Sequence, residues 1–96
     1  MIAFKVSVGG ELIAKAGLNE RGVLSCLISA GKDSELVDDK SDFLRIFVGA
    51  LKNGDEESEH LRWAMRSLKC GDSILVEVVD EDNVDEPVSR SRYENK

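Results

Sequence analysis

Glu59-His60-Leu61-Arg62-Trp63-Ala64-Met65, then Leu68-Lys69-Cys70-Gly71-Asp72, then Ser73-Ile74-Leu75-Val76-Glu77-Val78-Val79-Asp80 is the stretch whose reading decides the fold. It holds the single tryptophan and the single histidine. Trp63 can bury more apolar area than any other side chain in the chain, so the core is expected to form around it. Leu68 to Asp72 reads as a turn feeding a strand. Gly71 can take a positive φ, and Asp72 can hydrogen-bond nearby backbone. Beyond the turn, Ile74, Val76 and Val78 alternate with Leu75, Glu77 and Val79, the period of a strand and here of a core strand. Residues 58–65 fit two templates. As a strand, Glu59, Leu61, Trp63 and Met65 share one face and His60, Arg62 and Ala64 the other. As a helix, Leu61, Ala64, Met65 and Leu68 line a stripe, and acidic residues precede it as they would a helix N-terminus. The surrounding strands at hairpin spacing favour the strand, with a short helix near 58–68 as the alternative.

Working outward, Ile2, Phe4, Val6 and Val8 alternate with Lys5 and Ser7, and Gly9-Gly10 is a strong two-residue hairpin signal. Glu11 to Ala16 returns with Leu12, Ala14 and Ala16 on one face. Val23 to Ala30 is apolar or small on both faces, as in a central strand covered on both sides or one at a subunit contact. Gly31 to Asp42 is acidic, with Leu36 and Val37 as a candidate short edge strand. Phe43 to Leu51 is rich in β-branched and aromatic residues, which favours strand over helix. Asn53-Gly54 marks the next turn. Pro87 cannot serve a central strand. The expectation is an all-β protein, an antiparallel β-sandwich or open barrel of about six strands. Residues 1–86 would form a single β domain and 87–96 a polar, flexible C-terminal tail.

The 96 residues suffice for one core. A hydrophobic fraction of 42% suits a folded chain. With 33% charged residues, a net charge of −6 and a pI near 4.7, the chain lacks the clustered Lys and Arg that nucleic acid or an anionic membrane surface demands. Those partners are excluded; a basic protein partner is compatible. The N-terminus alternates like a strand and lacks the plan of a signal peptide, and no apolar run is long enough for a membrane helix. Cys26 and Cys70 are too few for a disulfide framework and read as reduced thiols of a cytoplasmic protein.

Catalytic and metal chemistry find little support in the residue pattern. One histidine and two distant cysteines give no zinc spacing. The acidic runs Asp38-Asp39, Asp55-Glu56-Glu57 and Asp80-Glu81-Asp82 lack the spaced oxygen ligands of a calcium loop and read first as solvated loops. Cys26 lies in an apolar strand, where an inert buried thiol is the default. Cys70 has only His60 to serve it as a base, so no enzyme, metal or cofactor is expected. Gly9-Gly10 lies between strands and is no phosphate loop. The surface candidates are therefore the acidic loops, with Asp38, Asp39, Asp55, Glu56, Glu57, Glu59, Asp80 and Asp82 as partner-binding residues. His60 and Arg62 join them because they flank Trp63, although the plainer reading makes both solvent-side neighbours of a core tryptophan.

At Gly22-Val23-Leu24-Ser25, Glu59-His60-Leu61-Arg62-Trp63, Leu68-Lys69-x-Gly71-Asp72-x-Ile74-x-Val76 and Val84-Asp85-Glu86-Pro87, the chain resembles a group of small, largely uncharacterised bacterial all-β proteins. The shared motifs are turns, strands and a tryptophan, and imply a fold but no chemistry. In size, charge and lack of visible catalytic residues the chain also resembles the immunity proteins of interbacterial toxin systems. That resemblance implies a non-enzymatic module that binds and neutralises a basic cognate toxin, such as a nuclease, through acidic loops. Two alternatives stand beside it: a module that self-associates as a homodimer through the apolar face of Val23 to Ser29, and a calcium- or ligand-binding sandwich.

Overall fold

The computed structural model describes residues 1–32 and 42–94 of the chain. The alternation at the N-terminus becomes strand β1 (Ile2–Val8), which returns as β2 (Glu11–Gly17). The turn between them is closed by Gly9 and Gly10 at φ 57° and 85°, the left-handed pair that a tight hairpin requires. Then follow β3 (Gly22–Lys32), β4 (Asp42–Asn53), β5 (Glu57–Ser67), β6 (Ile74–Asp80) and β7 (Ser89–Glu94). All pairings are antiparallel and form two sheets, in the orders β2-β1-β6 and β3-β4-β5-β7. The all-β antiparallel fold expected from the sequence is the one adopted, and residues 58–67 are strand, not helix. Before β6, Gly71 takes φ 97°, the Asp72 amide donates to the Lys69 carbonyl, and the Lys69 amide donates to Asp72 Oδ2. The candidate edge strand at Leu36-Val37 lies outside the described residues.

The core lies where the sheets overlap. Val6, Ala14 and Ala16 face Ile46, Val48, Ala50, Leu61 and Trp63. Within the first sheet, β2 comes nearest to β4 and β5. Its inward residues are alanines, whose single methyls allow that approach. Burying Val6, Ile46 and Val48 completely contributes about 1.5–3 kcal/mol each.

Two bulges shift the alternation that the sequence suggested. Val6 pairs with Ala14 but Ser7 with Leu12, so Ile13 is an extra residue and Leu12 turns out to solvent. Val48 pairs with Ala64 but Gly49 with Arg62, so Trp63 is the extra residue of β5. The expected grouping of Met65 with Trp63 is therefore corrected: Trp63 turns inward, and Met65 lies opposite Phe47 on the outer face.

Three further expectations change. The tail is not loose throughout, because Ser89–Glu94 pairs with β5 and adds a seventh strand. Among the described residues β3 is an edge strand, not a central one, and is paired only with β4. β6 is likewise an edge, with most of its apolar side chains in solvent, and so is no core strand.

Candidate binding surface

Val84-Asp85-Glu86-Pro87 builds the join between the sheets. The Glu81 amide donates to the Met1 carbonyl, the Asp85 amide to the Lys15 carbonyl, and the Val88 amide to the Arg62 carbonyl. The chain therefore crosses from β1 over the rim of β2 to β5. Asp85 secures it three ways: its Oδ2 accepts the Lys15 amide at 3.0 Å, its carbonyl accepts Trp63 Nε1–H at 2.7 Å, and its own amide donates to Lys15. This strap occupies the free edge of β2 at Lys15 and gives the buried indole its polar partner.

Beneath the strap, Lys52, Glu59 and Arg92 form one cross-strand row on the inward face. The Glu59 carboxylate accepts from Arg92 Nε at 3.0 Å and Arg90 Nη1 at 3.2 Å. Lys52 Nζ stands 4.0 Å away and also pairs with Glu20. The Arg92 hydrogen bond, helped by the charges of Arg92, Arg90 and Lys52, holds the Glu59 carboxyl below its ordinary pKa against the opposing effect of desolvation. Glu59 is thus a nearly buried ion-pair centre and is removed from the partner-binding residues.

The other candidates separate by position. Asp55 and Glu56 are exposed in the β4–β5 connection, and Glu57 is the exposed first residue of β5. Asp80 and Asp82 gather at the Met1 ammonium, 3.1 and 3.0 Å away, in a different constellation. Beside them Lys15 pairs with Glu81, and this hydrogen bond lowers the Glu81 pKa. Arg62 is half-buried opposite Gly49. Asp38 and Asp39 lie outside the described residues. Among the described residues no three His, Cys, Asp or Glu side chains converge on a metal position. Cys26 is partly buried and Cys70 exposed; neither is in a disulfide, and burial raises the Cys26 thiol pKa. No helix is long and apolar enough to cross a membrane among the described residues.

His60 is exposed and borders an unexpected feature, a shallow apolar hollow of about 370 Å³ on the outer face of the second sheet. Ser25 and Gly49 lie in its floor; Val23, Leu51 and His60 stand at one end and Leu27 and Phe47 at the other. The Phe47 ring folds over Gly49, where a Cβ would come within 2.5 Å of the ring and 2.7 Å of the Leu61 carbonyl oxygen. Val23 is 58% exposed and Leu27 54%, with Met65 beyond them. Leu51 and His60 pair two strand positions from Asn53 and Ser58, so the acidic β4–β5 connection with Asp55 and Glu56 follows beyond this end of the hollow, whereas Glu57 shares the inward face of Glu59 beside Lys52 and Arg92. Apolar character on both faces of residues 23–30 was the legible signal for it. The contribution of Phe47 and Met65 required the β4–β5 register.

No family model, curated protein or solved structure matches the chain.

Proposed function

We propose that the chain is a non-enzymatic cytoplasmic module that binds a basic protein partner, in the manner of an immunity protein occluding a toxin such as a nuclease. The observation that carries this reading is the apolar hollow of Val23, Leu27, Phe47, Leu51 and His60, with the acidic β4–β5 connection of Asp55 and Glu56 beyond its end. The two parts have different tasks. A hollow with almost no polar lining favours an aliphatic or aromatic anchor, whose burial supplies affinity. The carboxylates attract Lys and Arg around that anchor, raising the association rate and rejecting acidic competitors. A nuclease surface that grips phosphates is basic, so its complement is acidic. Relative to the sequence-based expectation, the proposed binding surface moves from the acidic loops alone to an apolar centre beside one acidic connection, that of Asp55 and Glu56.

The test is co-expression with the genomically adjacent toxin, together with a direct binding measurement. The wild-type chain should protect cells and form a complex. Leu27→Asp should weaken that complex by about 2 kcal/mol or more, roughly thirtyfold, as expected for an anchor position. Neutralising Asp55 and Glu56 together should mainly slow association and flatten its salt dependence. Absence of both complex and protection, or full protection by Leu27→Asp, overturns the reading.

A further inference from the structure

The four sheet edges are not treated alike. The Asp85 strap occupies the β2 edge at Lys15, and β7 carries Arg90 and Arg92, charges that discourage strand addition. β3 borders the hollow discussed above. Among the described residues β6 pairs only with β1, and beside the exposed Glu77 and the terminal Asp80 it presents Leu75, Val76 and Val78 at 56%, 38% and 65% exposure. An apolar strand with an open hydrogen-bonding edge and apolar side chains on both faces is built to receive another strand.

We propose that β6 is the contact between two copies of this chain, which join edge to edge, antiparallel about a two-fold axis, into one six-stranded sheet β2-β1-β6-β6-β1-β2. A two-fold axis normal to the sheet must pass through a residue, because opposed side chains in an antiparallel pair lie on the same face. Centring on Glu77 would oppose two carboxylates. Centring on Val76 opposes Val76 to Val76, Ile74 to Val78 and Leu75 to Glu77. Within residues 74–78 both kinds of pair on the inward face are then β-branched and apolar, the pairing that stabilises neighbouring strands, and Asp80 lies beyond the paired run. Strand self-complementarity favours a second copy over a foreign chain.

This dimer does not depend on the proposed function, since β6 and the hollow lie on different sheets. Sedimentation equilibrium of the full chain should give twice 10.6 kDa, and Val78→Lys should return it to the monomer with an unchanged circular dichroism spectrum. In a Cys26→Ser, Cys70→Ser background, oxidised Val76→Cys should cross-link. Residues opposed across the axis stand about 4.5–5.5 Å apart, within disulfide reach. Val78→Cys should not, because its copies lie on opposite sides of the axis. A wild-type chain that stays monomeric at high concentration overturns the inference. So does a dimer that survives Val78→Lys but falls to Leu27→Asp, which would place the second copy on the hollow and count against the foreign partner there. A monomeric Val78→Lys chain that still binds the toxin upholds both proposals. Loss of toxin binding by Leu27→Asp with the dimer intact has the same meaning.

Discussion

Trp63→Phe tests whether the indole is the point at which strap and core are joined. Phenylalanine keeps an aromatic ring in the 6%-exposed site but removes Nε1–H and its 2.7 Å bond to the Asp85 carbonyl. A hydrogen bond of this kind is worth about 1 kcal/mol net, with more lost if the carbonyl stays unpaired. Truncating a buried aromatic to alanine costs about 3–5 kcal/mol, and the smaller change to phenylalanine removes only part of that, about 1–2 kcal/mol. The expected total is about 2–3 kcal/mol. At about 4–8 °C per kcal/mol for a domain of this size, Tm should fall by about 8–24 °C. Since the substitution removes the fluorophore, urea unfolding followed by far-ultraviolet circular dichroism is the suitable assay, and its m-value should not change. Asp85→Ala retains the carbonyl and loses only the side-chain bond to the Lys15 amide, so its cost should be nearer 1 kcal/mol. A Trp63→Phe variant within about 0.5 kcal/mol of wild type, no more than an ordinary surface substitution, would refute the reasoning.

Gly49→Ala should lose about 1–3 kcal/mol in the same unfolding assay, because its methyl meets both the Phe47 ring and the fixed Leu61 carbonyl. The pH dependence follows from Glu59, whose folded pKa lies below the ordinary 4.5. The ion-pair contribution is complete above the unfolded value and disappears as pH falls through the lower folded one, so stability should drop on acidification below about 4.5. Glu59→Gln should be less stable at neutral pH and show a shallower acid decline; an identical acid limb in both proteins would exclude Glu59 as the linked group.

The architecture could be read from the sequence wherever one face of a strand is buried, because period-two alternation and turn chemistry then agree. Ile2 to Val8, Gly9-Gly10 and Lys69 to Asp72 are examples. The reading failed where a bulge or an edge intervened. Met65 alternates with Trp63 in sequence, but the extra residue in β5 reverses its face, and nothing in the local pattern announces that insertion. β7 was hidden for another reason. Ser89-Arg90-Ser91-Arg92 has the polarity of a solvated tail, yet Arg90 and Arg92 gain a nearly buried partner, Glu59, about thirty residues earlier. Glu59 itself looked like part of an acidic loop because its neutralising cations come from other strands. In the opposite direction, the motif residues acquire physical roles. A side chain at Gly22 would collide with the Leu51 carbonyl, and Asp85 ties Trp63 to Lys15.

The treatment of sheet edges bears most directly on function. A chain of this size has little apolar surface to spare for its core, yet it leaves Val23, Leu27, Leu75 and Val78 more than half exposed. The exposure is not uniform neglect. The same molecule crosses the β2 edge at Lys15 with a strap fixed by Asp85 and places Arg90 and Arg92 on β7. Where edges are guarded so specifically, the two that stay apolar are best explained by contact with something else. They also differ from each other. β3 adjoins a concave apolar surface, a shape that suits the side chain of a partner different from itself. β6 offers a short run whose Val76-centred register matches its own copy. A dimer built on β6 leaves β3 free in both copies, so two partners could be held at once by contacts that do not compete.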